Sequence, residues 1–348
     1  MSDETADDSG ERTDTSHEEY EVVVIGGGPA GLTAALYTTR LGHETAVFDR
    51  GGGRAAMMQD SHNIIAIPEE VSGNELLSRA IEQVEGYGAA YHRRSVTGIE
   101  RTAEKFRIET DDGEVVADRV VLATGFNDTR PDPPLPRTGR GLHYCLHCDA
   151  YMFVDEPVYV MGHGESAANV AMVMLNFTDQ VDLLLRVEEP TWSEETDTQL
   201  HAHPIEILES KVSGVNNGED SWLSSLAFED GMEREYTGGF AMYGSEYNNG
   251  LATELGADLT DDGAVVVDDH GRTSVKGLYA VGDLTPGHNQ IPVVMGQSAK
   301  AGIAIHKELR EFPKALSELD AEVSGADVPG ISETLRERAD SRASADDD

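Results

Sequence analysis

The stretch Val22-Val23-Val24-Ile25-Gly26-Gly27-Gly28-Pro29-Ala30-Gly31 reads as a short buried strand, a glycine turn and the first residues of a helix. Gly26, Gly28 and Gly31 stand at the spacing G-x-G-x-x-G. The first glycine permits the tight turn, the second lets backbone N–H groups approach a pyrophosphate, and the third lets helix and strand lie close. A diphosphate would rest on the helix N-terminus, where free N–H groups and the helix dipole favour negative charge. The strand is β-branched, and Asp49 closes the next apolar run, Glu44–Phe48, at the distance where an acid accepts hydrogen bonds from a ribose. The stretch therefore predicts a dinucleotide site, against the alternative of a bare structural turn.

Working outward, the spacing predicts a helix over Pro29–Leu41 and a second strand over Glu44–Asp49. Gly51–Gly53 is either a loop passing close to a cofactor or a plain turn. Ser72 caps a helix over Gly73–Gly86, and strands are expected at His92–Arg101, Phe106–Ile108 and Glu114–Leu122, the last running into Ala123-Thr124-Gly125. Arg130–Pro136 is proline-rich and reads as a linker. The pattern then repeats: strand Val158–Met161, glycine turn Gly162-His163-Gly164-Glu165-Ser166-Ala167, helix Ala168–Asn176, strand Val181–Arg186. Further strands are expected at Phe240–Tyr243, Ala264–Val267 and Gly277–Val281, the last followed by Gly282-Asp283. A long helix is expected over Gln290–Leu309, with Ile303, His306 and Leu309 among its periodic positions. This is an α/β chain with two Rossmann-like units. Two dinucleotides in one chain imply electron transfer between them, the alternative being a duplicated fold with one empty site.

The 348 residues carry 65 acidic against 26 basic side chains, a formal charge of −39, and only six of the basic residues are lysine. So negative a surface argues against nucleic acid and anionic membranes as partners. It suits a protein kept soluble in concentrated salt, where charge repulsion is screened within a few ångströms, and points to a halophile, an archaeon among the candidates. Met1–Glu19 is acidic, without the apolar core of a signal peptide, and is expected to be disordered, as is the acidic tail from 316 to 348. No run is apolar enough to span a membrane, so a cytoplasmic location is expected.

Two cysteines, Cys145 and Cys148, flank Leu146-His147 and precede Asp149. In a cytosolic α/β chain, C-x-x-C reads as a redox pair or a metal site. The spacing lets the sulfurs close a small ring, His143 or His147 could stabilise a thiolate, and Asp149 could exchange a proton with either sulfur. Zinc completed by His143 and His147 is the competing reading, and two inert buried thiols a third.

Gly26–Gly31, Ala123-Thr124-Gly125, Cys145–Asp149, Gly162–Ala167 and Gly277–Asp283 occur in one order, at separations that resemble the low-molecular-weight thioredoxin reductases, which are two-domain flavoproteins. The likeness runs from about Tyr20 to Leu309. It implies a second nucleotide unit inserted in the first, with an FAD unit over 20–130 and 245–315 and an NAD(P) unit with the cysteines over 131–244. It implies FAD on Gly26, Gly28, Pro29, Ala30 and Gly31. Asp49 would hold the ribose, though the family more often has glutamate there. Asn63, Val96, Thr124, Gly125, Gly282 and Asp283 would contact the cofactor, and Gln290 and Ile291 would lie near its ring. The resemblance also implies that Cys148 faces the flavin, Cys145 attacks the partner disulfide and Asp149 protonates the leaving thiolate. The inserted unit would turn about Asn127–Pro134 and Gly244–Gly250. A homodimer and a thioredoxin-like protein partner are implied as well.

The nicotinamide site departs from that pattern. Gly162, Gly164, Glu165, Ser166 and Ala167 keep the turn, and Arg186 could face a 2′-phosphate, but Glu188 and Glu189 would repel it. NADPH, NADH and a donor such as ferredoxin remain open. The alternatives to a reductase are a flavin dithiol oxidase of a small molecule and a flavin-bearing redox sensor.

Overall fold

A computed structural model of the chain describes residues 18–345, apart from 133–134, 136–137, 186–188, 219–220, 320–323, 329 and 332. The first strand, β1 (Glu18–Ile25), begins inside the segment expected to be disordered, because Glu18 and Glu19 pair with Val115 and Val116 of a neighbouring strand. Its apolar run is covered on both faces. Val23 and Ile25 point into one core cluster, Val22 and Val24 into another. Val22, Val23 and Val24 are fully buried, each contributing roughly 1.5–3 kcal/mol of hydrophobic stabilisation.

Helix α1 (Pro29–Arg40) and strand β2 (Thr45–Phe48) complete the opening β-α-β unit. Helix α2 (Gly73–Glu85) starts as expected at Ser72, whose hydroxyl accepts from the Glu75 N–H. The single strand expected over His92–Arg101 is two, β3 (Ala90–His92) and β4 (Val96–Arg101). β3 pairs parallel with β2 while β4 pairs antiparallel with β5 (Phe106–Thr110), so the chain must leave one neighbour to reach the other. β6 (Gly113–Leu122) is shared along its length. Its first half pairs with β5 and all but its first two residues flank β1.

β7 (Phe126–Asp128) leads out of this sheet, and a single helical turn, α3 (Leu146–Asp149), carries Cys148, with Cys145 at its N-cap. β8 (Val158–Met161), α4 (Glu165–Met174), β9 (Val181–Leu184), α5 (Glu194–Ala202) and β10 (Ile205–Leu208) follow. The helix expected from Ala168 thus starts three residues earlier, on the glycine turn. Then come β11 (Val212–Asn217), β12 (Leu223–Phe228), β13 (Glu233–Glu235) and β14 (Gly238–Ala241). β10-β9-β8-β14 form a parallel sheet, with α4 and α5 over one face and the antiparallel β11-β12-β13 sheet over the other. The chain returns through β15 (Ser245–Tyr247), which pairs antiparallel with β7 so that the two crossing segments form one ribbon.

After α6 (Gly250–Glu254), the run Ala264–Val267 forms no ladder. Val265 is buried in the core and makes only an isolated bridge to Leu259. β16 (Leu278–Ala280) pairs with the second half of β6, and α7 (Ile291–Leu309) packs on α1. At their crossing a side chain on Gly302 would lie 2.7 Å from the Tyr37 Cβ. The buried face of α7 carries Val294, Ser298, Ala301 and Ile305, whereas Ile303 is exposed. The acidic tail, expected to be disordered, carries α8 (Glu333–Ala345). Arg338 stacks on Tyr87 and donates to the Gly86 carbonyl at the end of α2. Among the described residues no helix is long and apolar enough to cross a membrane.

Candidate active site

A cleft of about 1020 Å³ runs from the Gly26–Gly31 turn to the two cysteines. At its first end the three glycines do different work. Gly26 has φ +112°, and a Cβ there would stand 2.3 Å from the Ala123 carbonyl oxygen. A Cβ on Gly31 would come within 1.9 Å of the Gly26 carbonyl oxygen, so both positions are closed by protein. A Cβ on Gly28 would meet nothing within 4 Å. Gly28, Pro29 and Ala30 line the cleft at the N-terminus of α1, where no acidic side chain occupies the first turn. Such an N-terminus, with free N–H groups and the positive end of the helix dipole, has the chemistry to receive a diphosphate.

Asp49 lies against Gly27 and accepts a 2.8 Å hydrogen bond from the Tyr91 hydroxyl. Burial first, and then the bond to Asp49, raise the Tyr91 pKa. Asn63, Val96, Thr124, Gly125, Asp283, Gln290 and Ile291 also line the cleft, while Gly31 and Gly282 pack behind it. Thr124 is fixed by reciprocal bonds with Asn248, Oγ1 to the Asn248 carbonyl at 2.8 Å and Asn248 Nδ2 to the Thr124 carbonyl at 2.9 Å. Asp283 has its pKa raised mainly by burial, with Arg54 pulling it down and Asp128 pushing it up. Arg54 donates to Asp128 at 2.8 Å, lies 3.9 Å from Asp283 and stacks over Phe126.

At the other end Cys145 and Cys148 are joined in a disulfide, so neither sulfur is free as a thiolate ligand for zinc. Gln290, at the N-cap position of α7, donates from Nε2 to the Cys145 sulfur at 3.3 Å and sits 3.6 Å from that of Cys148; its Oε1 accepts from Asn63 at 2.7 Å. Asp149 also lines the cleft. Its Oδ2 is 2.7 Å from Nδ1 of buried His143, and its Oδ1 is 3.7 Å from Nδ1 of His62. His143, expected beside a thiolate, thus serves the carboxylate, and His147 is exposed. The buried Tyr144 hydroxyl, also on the cleft, has no hydrogen-bond partner among the described residues.

Residues 20–303 match the pyridine nucleotide-disulphide oxidoreductase family. The chain belongs to that family. It is 29% identical to the thioredoxin reductase of Aquifex aeolicus over 309 residues, covering 83% of this chain and 93% of the relative. It is 30% identical to an NADH dehydrogenase of Bacillus subtilis over 308 residues, covering 84% of this chain and 60% of that one. Among solved structures, the thioredoxin reductase from Streptococcus pyogenes superposes with a TM-score of 0.79 at 28% identity, covering 84% and 99% of the two chains. The chain is thus a thioredoxin reductase-like oxidoreductase, of a family that uses FAD and NAD(P)H.

Within this oxidoreductase the second glycine turn is built differently. Gly162 has φ +143°, yet the third position carries the Ala167 methyl without difficulty. Thr191 folds back on the turn, its N–H donating to the His163 carbonyl at 2.8 Å. Glu165 accepts from the Ser193 N–H at 2.7 Å and the Thr196 hydroxyl at 2.8 Å, which lowers its pKa and caps α5. Gly164 and Ser166 are partly or fully exposed. Arg186 and Glu188 lie outside the described residues, and β9 ends at Leu184. Sequence reasoning missed His62, Arg54 and Tyr144. His62 adjoins Asn63, but nothing in one sequence ties a loop histidine to an acid 87 positions later.

Proposed function

We propose that this chain is a flavin-dependent disulfide reductase of the thioredoxin reductase type. The single observation that carries the reading is that the Gly26–Gly31 cradle and both sulfurs of Cys145–Cys148 line one cleft. FAD would be held by the α1 N-terminus at its diphosphate, by Asp49 at a ribose, by Asp283 at its ribityl or phosphate region and by Asn63, with Gln290 and Ile291 near its ring. When bound it supplies two-electron redox chemistry between a nicotinamide donor and the disulfide. The residues of the chain do the rest. Gln290 holds the sulfurs at the cleft wall, and opening of the disulfide gives two thiolates. Cys145 attacks the disulfide of a thioredoxin-like protein to form a mixed disulfide, Cys148 attacks that bond in turn, and Asp149 protonates the leaving thiolate. The β7–β15 ribbon, the paired crossing between the two sheets, is the element about which the inserted unit would turn to bring the cysteines out.

NADPH is the donor favoured by the resemblance, and Gly162–Ala167 would receive it. The acidic surface supports activity in molar salt, and a homodimer follows the resemblance alone. The test is anaerobic titration of the yellow protein in molar salt. NADPH should bleach it, and oxidised thioredoxin should restore the colour. Cys148→Ser should keep the colour and lose disulfide turnover by at least about 10³-fold. A colourless protein that cannot be reconstituted with FAD would refute the reading. Bleaching by neither NADPH nor NADH would move the donor to another class, such as ferredoxin.

A further inference from the structure

Asp149 stands between two imidazoles with unlike surroundings. His143 comes from its own unit, five residues before Cys148. It is only 3% exposed and boxed by Phe153, Trp222 and Phe240. Its Nε2 is buried with no hydrogen-bond partner among the described residues, so the tautomer that fits carries its hydrogen on Nδ1 and donates it to Asp149 at 2.7 Å. A second N–H on that ring would be buried with no acceptor. His62 comes from the loop before α2, on the other sheet's side of the ribbon. It lines the cleft, packs edge-to-face with Tyr151 at a ring-centroid distance of 5.3 Å, and lies 3.7 Å from the other Asp149 oxygen, Oδ1.

We propose that His62–Asp149–His143 is a proton relay in which His143 fixes the carboxylate and His62 recharges it, and that the His62 arm exists only while the disulfide faces the cleft. Both histidines are positioning residues, since each acts through Asp149. The inference rests on the disulfide-reductase reading. Two electrons break the Cys145–Cys148 bond; the departing sulfur takes up a proton and the other remains a thiolate. Asp149 gives its proton to the departing sulfur, and the His62 imidazolium returns one to Asp149. His62 then regains a proton from water at the cleft mouth. When the inserted unit turns outward, His143 travels with Asp149 and His62 stays behind. The relay would therefore serve opening of the disulfide within the cleft, while exchange with a partner would rely on Asp149 and His143 alone. The ionisable groups facing the relay are Tyr151 and, beyond it, Glu69 and Asp60, together with the sulfurs themselves.

The test needs no nicotinamide. Dithiothreitol opens the disulfide of the full-length protein: one of its thiolates attacks a protein sulfur, the other protein sulfur leaves and is protonated, and ring closure of the reagent frees the second. The rate, divided by the concentration of dithiothreitol thiolate, is followed across roughly pH 5 to 8, where histidines change charge. In the parent it should fall as pH rises. His62→Asn should flatten the profile and slow the reaction by about three- to tenfold at the acidic end. His143→Ala should be slow throughout, and His143→Asn, which keeps a donor where Nδ1 stands, should recover most of the rate with the slope intact. A His62→Asn profile as steep as the parent's, or a His143→Asn variant as slow as His143→Ala, would overturn the relay. Asp149→Asn separates the two levels. If it reacts like the parent, the acid assigned in the reductase reading is wrong; if it is slow while the His62 variant matches the parent, only the relay fails.

Discussion

The two glycine turns share a sequence pattern and differ in what closes them. At Gly26–Gly31 the first and third glycines are shut by backbone and the middle one opens on a cleft. At Gly162–Ala167 the third position has room for a methyl, a loop is pinned across the turn by Thr191, and the acid at the start of α4 caps the next helix. The first opens on the cleft that holds the disulfide. The second is tied to its own unit by Thr191 and Glu165. The lesson is that a fingerprint identifies the turn, while its neighbours determine its use.

The largest effect should come at the third position. Gly31→Ala places a methyl on a backbone carbonyl and should cost about 3 kcal/mol or more, read as a lowered Tm. The reverse change in the second turn, Ala167→Gly, should cost about 1–2 kcal/mol, the helix penalty plus one buried methyl. Equal costs would erase the distinction between the turns. The middle position comes next. Gly28→Ala should fold with a Tm within a few degrees of the parent yet lose its flavin colour, whereas Gly164→Ala should stay yellow and raise only the KM for nicotinamide. If Gly28→Ala retains flavin at parent stoichiometry, the cradle is misassigned.

Two carboxylates sharpen the contrast through pH. Asp283 in the first unit has a raised pKa, so its penalty is absent in acid and grows as pH climbs past the ordinary aspartate value. Asp283→Asn should therefore raise the Tm of flavin-free protein at neutral pH, with the gain shrinking in acid, while weakening flavin retention. Glu165 in the second unit has a lowered pKa, so its stabilisation is present above the ordinary glutamate value and lost on acidification. Glu165→Gln should lower Tm slightly at pH 7 and converge with the parent in acid, the smallest effect of the set. Matching signs for the two carboxylates in thermal melts across pH would show that the burial of one and the capping role of the other have been misread.

Much of the fold was legible because period and punctuation were strong. The Val22–Ile25 run, the Ser72 cap and the long helix to Leu309 each carry local signals that tertiary contacts reinforce. Readings failed where a neighbour decided the outcome. His92–Arg101 is uniformly strand-like, but its halves pair at opposite sides of the sheet. Val265 is as apolar as a strand residue and finds no ladder. The tail lacks an apolar face, and α8 is held through Arg338 on Tyr87, a contact no periodicity announces.

By itself the sequence determined that two β-turn-α-β units exist, that an acid, Asp49, follows the first unit's second strand, and that two cysteines stand close enough to bond. These are matters of spacing along the chain, where backbone sterics leave few alternatives. Only the tertiary structure decided that both sulfurs share a cleft with Gly28, that Gln290 holds them there, and that Asp149 lies between His62 and His143. Those contacts join residues from distant stretches and from both sides of the β7–β15 crossing. They are set by how two separately buried cores are brought together, which no local pattern encodes.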